Sequence, residues 1–204
     1  MINRHRWGCA ALGSALAAGL CLLGGGARTA AEDGTGLYLS GDLGPNFMPD
    51  PTVRPGGGIL SMDPGVRFDG ALGYNFNSWL GVEGESGFLY NSTSHDPRHA
   101  WLGQMPMLAN LVVRYERNSP WVPYAGIGVG GVVGFLNNDQ GCDTDGEFAW
   151  QFMVGIRYRL RQHLAVDLAY KYLGTSDQYY NIGGPIVLSD LNNHMFALSL
   201  TWSF

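Results

Sequence analysis

Apolar and polar residues alternate along most of this chain, and the alternation falls into eight segments. Successive side chains of a strand point to opposite faces, so a period of two marks a strand. Residues 35–47 place Leu37, Leu39 and Leu43 on one face and Tyr38, Ser40 and Asp42 on the other. Residues 65–76 place Val66, Phe68, Leu72, Tyr74 and Phe76 against Arg67, Asp69 and Asn75. Residues 79–90 place Leu80, Val82, Phe88 and Tyr90 against Glu83 and Glu85. Residues 104–116 place Met107, Ala109, Leu111, Val113 and Tyr115 against Asn110, Arg114 and Glu116.

The second half repeats the pattern. Residues 121–135 set Ala125, Ile127, Val129 and Val133 against Tyr124 and a row of glycines. Residues 147–159 set Phe148, Trp150, Phe152, Val154, Ile156 and Tyr158 against Gln151, Gly155, Arg157 and Arg159. Residues 164–173 set Leu164, Val166, Leu168, Tyr170 and Tyr172 against Asp167 and Lys171. Residues 193–204 set Phe196, Leu198, Leu200, Trp202 and Phe204 against Ala197, Ser199, Thr201 and Ser203.

The connections alternate in length. Those at 77–78, 117–120 and 160–163 are tight, whereas 48–64, 91–103, 136–146 and 174–192 are long and polar. Short turns at one end and long loops at the other is the layout of a bacterial outer-membrane barrel. Each segment also meets the roughly 9–11 residues that a tilted membrane strand needs. The predicted fold class is all-β: an eight-stranded, antiparallel, up-and-down transmembrane β-barrel.

Face chemistry separates this from a soluble barrel. One face carries nearly all the large apolar side chains, and the other carries charges and small residues. An eight-stranded interior is only just wide enough for side chains. It has no room for the whole Phe, Trp, Tyr and Leu set, so that face meets lipid and the polar face points inward. Closure leaves no unpaired backbone in the hydrocarbon. Aromatics sort accordingly. Tyr74, Phe76, Trp79, Tyr115, Trp121, Tyr158, Trp202 and Phe204 fall at the short-turn rim. Phe47, Phe88, Tyr90, Phe135, Phe148, Trp150, Tyr170 and Tyr172 fall at the other. Two such girdles suit the two bilayer interfaces.

Composition fits this reading. The 204 residues are 46% hydrophobic but only 14% charged, with 31 Gly and one Lys, whereas a soluble domain is about 25% charged. Aromatics at 12% exclude a disordered chain, and a net charge of −5 excludes a basic nucleic-acid binder. The N-terminus reads as an address. Arg4, His5 and Arg6 precede an apolar run from about Trp7 to Leu23, and small residues follow to Ala31. That is a secretory signal peptide. The expected organisation is a signal peptide at 1–31 and an outer-membrane barrel domain at 32–204, with cleavage after Ala27 as the alternative. Its removal leaves nine basic residues against 17 acidic ones, a net charge of −8. Cys9 and Cys21 leave with it, so the mature chain, with Cys142 alone, is expected to hold no internal disulfide.

At this point the sequence resembles a known family, the small outer-membrane β-barrel proteins of the OmpA-like and opacity-protein type. The residues that carry it are Gly36-Leu37-Tyr38-Leu39-Ser40-Gly41, Pro123-Tyr124-Ala125-Gly126-Ile127-Gly128-Val129-Gly130 and Phe148-Ala149-Trp150-Gln151-Phe152-Met153-Val154-Gly155. The alternating end from Phe196 to Phe204 completes it. The resemblance implies that the outer-membrane assembly machinery reads the last strand through Phe204, with Trp202, Leu200 and Leu198 behind it. It implies residence in the outer membrane of a Gram-negative-type bacterium, as a monomer in contact with outer-membrane lipid. With no large domain after Phe204, the peptidoglycan-binding function of longer relatives is not expected.

The inward charges are the best-defined candidate site. Asp42, Asp69, Glu83, Glu85 and Asp167 face Arg67, Arg114, Arg157 and Lys171, with Arg159 and Glu116 near the turn rim. One reading is a narrow ion path. The favoured one is a salt-bridge network that plugs the lumen, because buried charges are costly unless paired. Residues 126–131 have the glycine spacing of a dinucleotide loop, but that loop must open a helix and here the strand pattern continues. These glycines are expected to make room inside the barrel for Tyr124, arginines and their partners. Residues 139–147 form an acidic loop. In an EF-hand count Gly141 replaces the first Asp and Phe152 the last ligand, so it reads as a solvated loop. His95, Asp96 and His99 read as loop polarity. No catalytic residue, metal or cofactor is expected. The leading function is a surface-interaction or adhesion role, with outer loops meeting an extracellular ligand or partner protein and no nucleic acid. The alternatives are a small low-conductance pore and an outer-membrane lipid-modifying enzyme.

Overall fold

The structure, a computed structural model, describes residues 35–93, 100–139 and 141–204. Eight strands form the wall: β1 (Gly36–Phe47), β4 (Gly65–Asn75), β5 (Leu80–Ser92), β6 (Trp101–Arg114), β7 (Trp121–Asn138), β8 (Gly141–Arg161), β9 (Leu164–Thr175) and β12 (Asn192–Ser203). Four short strands, β2 (Thr52–Arg54), β3 (Gly58–Ile59), β10 (Gln178–Asn181) and β11 (Pro185–Ser189), lie in two of the long connections. The wall closes in the order β1-β12-β9-β8-β7-β6-β5-β4, with β4 pairing back onto β1. Every wall pair is antiparallel, and β1 meets β12 with Leu43 opposite Leu198 and Leu39 opposite Trp202. Closure removes sheet edges, which an open sheet in lipid could not satisfy. No helix among the described residues is long and apolar enough to cross a membrane.

The alternation decides which way side chains face. Leu43, Leu72, Ile127, Leu168 and Leu198 stand on the outside of the wall, each more than half exposed. Their neighbours Tyr38, Arg67, Asp69, Gln151 and Asp167 are buried inside. The rims are aromatic: Trp121 packs on Tyr158 with ring centres 4.5 Å apart, and Trp150 packs on Tyr172 at 5.1 Å. Phe135 departs from its expected place in the girdle, because it is buried. Strand β7 continues past it to Asn138.

Three expectations about the interior and the loops need correction. First, the inward face is not confined to charges and small residues. Leu89, Leu108, Val132, Ala149 and Leu173 form an apolar tier inside the wall. Second, the described residues of the stretch 136–146 are nearly all strand. Strands β7 and β8 run to 18 and 21 residues and keep pairing up to Asn138 opposite Gly141. That is well beyond a membrane strand's ~9–11 residues, so the hairpin stands clear of the bilayer. Third, connections 48–64 and 174–192 are not merely polar. They pair into a four-stranded sheet, β10-β11-β2-β3, with Leu188 opposite Val53. Beneath it Met48, Met62, Leu102, Leu136, Tyr180, Ile182, Leu188 and Leu191 form an apolar core. The outer end is therefore a folded cap.

The acidic stretch of β8 clasps that cap. Asp145 accepts the Tyr179 backbone N–H at 2.7 Å, and Asp143 accepts that of Asn181 at 2.7 Å. These carboxylates satisfy the free edge of β10, which corrects their reading as a solvated loop. Within the cap the Tyr180 hydroxyl donates to Gln178 Oε1 at 2.6 Å. Burial, then the charges of Asp145 and Asp143, pushes that hydroxyl above the usual phenol range, which keeps it a donor. Cys142 stands on β8 opposite Asn137. Residues 1–31, and His95, Asp96 and His99, lie outside the described residues.

Candidate functional site: a filled lumen above a basic vestibule

The lumen is filled in tiers. Nearest the short turns, Arg157 grips Asp167 with two parallel bonds of 2.7 and 2.8 Å. Thr201 adds a third bond to Asp167 at 2.9 Å. One step inward, Arg114 donates to the Tyr38 hydroxyl at 3.1 Å, and that hydroxyl donates to Glu83 at 2.8 Å. Asn110 then bridges Glu83 at 3.1 Å and Glu85 at 2.7 Å.

The densest tier lies at mid-barrel. Arg67 Nε approaches Asp69 at 2.7 Å, and Arg67 Nη2 approaches Glu85 and Gln151 at 2.8 Å each. Lys171 Nζ sits among Asp42 at 2.7 Å, Glu85 at 3.0 Å and Asp69 at 3.2 Å. The guanidinium and both its carboxylates have no exposed side-chain surface. Such ions are tolerable only when paired, and both cations here have three carboxylate or amide partners. Above this tier come the five apolar residues already described. Above those, Asn46 donates to Asn91 and Asn193 at 2.8 Å each, and Asn193 donates to Gln104 at 2.8 Å.

All nine charged candidates point inward. Asp42, Arg67, Asp69, Glu83, Glu85, Arg114 and Lys171 join one continuous network, while Arg157 and Asp167 form a separate pair. Near the rim Arg159 pairs with Glu116. The uncharged members Tyr38, Asn110, Gln151 and Thr201, and the Asn46–Asn91–Asn193–Gln104 tier, were not among the sequence candidates. Their inward parity was visible, but no charge marked them.

The glycines make room inside the barrel, though not for Tyr124. A side chain at Gly128 would run into Asn110, and one at Gly126 into Met153. Room for Tyr124 comes instead from Gly155 on β8. The four assembly-signal candidates lie outward on or just past β12: Leu198, Leu200 and Trp202 are about half exposed and Phe204 a little over a third.

A family model, described as the outer membrane protein beta-barrel domain, matches residues 16–204. The chain belongs to this family. It is an outer-membrane β-barrel of the Gram-negative cell envelope. A curated relative, the 25 kDa outer-membrane immunogenic protein of Brucella canis, is 28% identical over 176 residues, covering 83% of this chain and 77% of the relative. Among solved structures, Neisserial surface protein A superposes with a TM-score of 0.61 at 12% identity, covering 82% of this chain and 97% of that one. Ail, the attachment invasion locus protein of Yersinia pestis, solved with the heparin analogue sucrose octasulfate, gives 0.50 at 15% identity, covering 83% and 99%. At these identities the structural likeness shows the fold.

Proposed function

We propose that this barrel is a closed anchor that presents a folded cap to the cell exterior, and that the cap is the interacting part. The observation that carries the reading is the cap itself. Two connections pair into a sheet over an apolar core, and the β7–β8 hairpin clasps it from the side. Simple wall closure needs none of this. The paired charges below are then a structural plug rather than an ion path. The enzyme alternative has no support in the lumen, whose carboxylates are engaged by cations and amides.

The cap also has a sign. Asp50, Asp63, Asp139, Asp143, Asp145, Glu147, Asp177 and Asp190 lie at this end among the described residues, against Arg54. A polyanion such as the sulfated ligand held by Ail would meet like charge here. A cationic or neutral protein surface fits better. Protein in zwitterionic nanodiscs should be retained on immobilised polylysine and released by salt, and Asp139→Asn with Asp177→Asn in the cap should weaken that retention. Retention unchanged by the two cap substitutions would overturn the proposed polarity. Two further parts of the reading rest on the sequence pattern: removal of residues 1–31 on export, and recognition of the outward face of Leu198, Leu200, Trp202 and Phe204 by the assembly machinery.

A further inference from the structure

Below the filled tiers the barrel opens toward the short turns in a cavity of about 350 Å³. Its wall has a strong sign, opposite to that of the cap. Arg114, Arg157, Arg159, Arg161 and His163 line it, and Glu116 is the carboxylate among its lining residues. Two of the four guanidinium groups are already neutralised: Arg157 by Asp167, and Arg159 by Glu116. Arg114 and Arg161 have no ion-pair partner among the described residues.

Arg114 is only 6% exposed, its one side-chain hydrogen bond among the described residues goes to a neutral phenol, and its Nη1, like that of Arg67, is buried with no partner. Unlike Arg67, Arg114 has no carboxylate partner, so its buried charge is left uncompensated. The upper tiers close the cavity off from the cap, so a ligand has access from the periplasmic side.

We infer that this vestibule is a binding site for an oxyanion of the phosphate class, held by Arg114 at its floor and Arg161 at its mouth. A cavity lined by two guanidinium groups without carboxylate partners suits an oxyanion held by charge-assisted hydrogen bonds. The cavity is far larger than one phosphate, so a substituted phosphate fits. Two sources share this chemistry: a soluble phosphate ester of the periplasm, and the phosphodiester of a lipid in the adjoining leaflet. Leu37 and Phe204, on the outer wall, also line the opening, so a leaflet lipid has a path to it.

The test titrates inorganic phosphate into 15N-labelled full-length protein folded in dodecyl maltoside micelles, which contain no phosphate. Saturable shifts of the Arg114 side-chain resonance are expected, with Arg54 in the cap unmoved. Arg114→Gln should weaken binding at least about tenfold, the loss of one charged hydrogen-bonding group, and Arg114→Lys should retain part of it. Because Arg114→Gln could disturb folding, Arg161→Gln at the exposed mouth is the second variant, with an expected several-fold loss. Heat-modifiable migration on gels reports folding in each case. Native mass spectrometry from phosphatidylglycerol nanodiscs identifies the source. One retained lipid, lost in both variants, marks a leaflet phosphodiester; phosphate binding with no retained lipid marks a soluble ester. A non-saturating titration with no retained lipid, or affinity unchanged in both variants, overturns the site.

Discussion

Replacing Arg67 with methionine is expected to lower the stability of the folded barrel by about 3–5 kcal/mol, the usual cost of breaking a buried ion pair from one side. The side chain is fully buried and holds Asp69, Glu85 and Gln151 at once. Without it, Asp42, Asp69 and Glu85 share Lys171 as their remaining cation in that tier. The cost arises from the stranded carboxylates more than from the lost contact. Adding Glu85→Gln to the methionine variant should therefore recover part of the loss, although it removes a further ion. Urea unfolding in lipid vesicles, followed by the heat-modifiable gel band, measures both. Equal or additive losses in the double variant would show that the tier is not electrostatically coupled.

The second large effect tests the outer face. Leu198 lies between the aromatic residues Phe196 and Trp202 on β12 and is 61% exposed. Leu198→Arg there should destabilise the barrel by about 2–4 kcal/mol in vesicles, because the charge enters hydrocarbon near the midplane. Leu37→Arg, at the level of Tyr74 and close to the short-turn rim, should cost only about 0–1 kcal/mol. The depth dependence is the informative part. In a water-soluble barrel both positions would face solvent, and both substitutions would be nearly neutral.

The wall was legible in the sequence because lipid imposes one rule on every residue crossing it. Each outward position must be apolar, so eight segments carried the same period, and their pairing order followed from the short turns. The charged site was legible for the same reason. Asp42, Arg67 and Lys171 sit on three strands, yet parity alone sends all of them to one lumen. Parity did not reveal who pairs with whom. The contact of Lys171 with Asp42 joins positions 129 residues apart, and it depends on strand stagger. Inward leucines such as Leu89 and Leu173 were hidden, because an apolar residue on the polar face looks like noise in a short segment. The cap was hidden for a different reason. Its strands have two to five residues, too short for a period to register. Its core is assembled from separate connections, from Met48 and Met62 to Tyr180 and Leu191. Asp143 and Asp145 looked like solvated acids because the N–H groups they accept belong to β10, more than thirty residues further on.

One contrast runs through the molecule. Acidic residues gather at the cap and arginines at the short-turn end, with a paired and closed lumen between them. On the proposed reading, the barrel separates two surfaces and joins no two compartments. Planar-bilayer recording of the purified protein tests that claim most directly. The account predicts no resolvable single-channel steps across ±100 mV (roughly 2.3 kcal/mol per elementary charge). Reproducible open-channel steps, altered when Arg67 or Glu85 is neutralised, would contradict it.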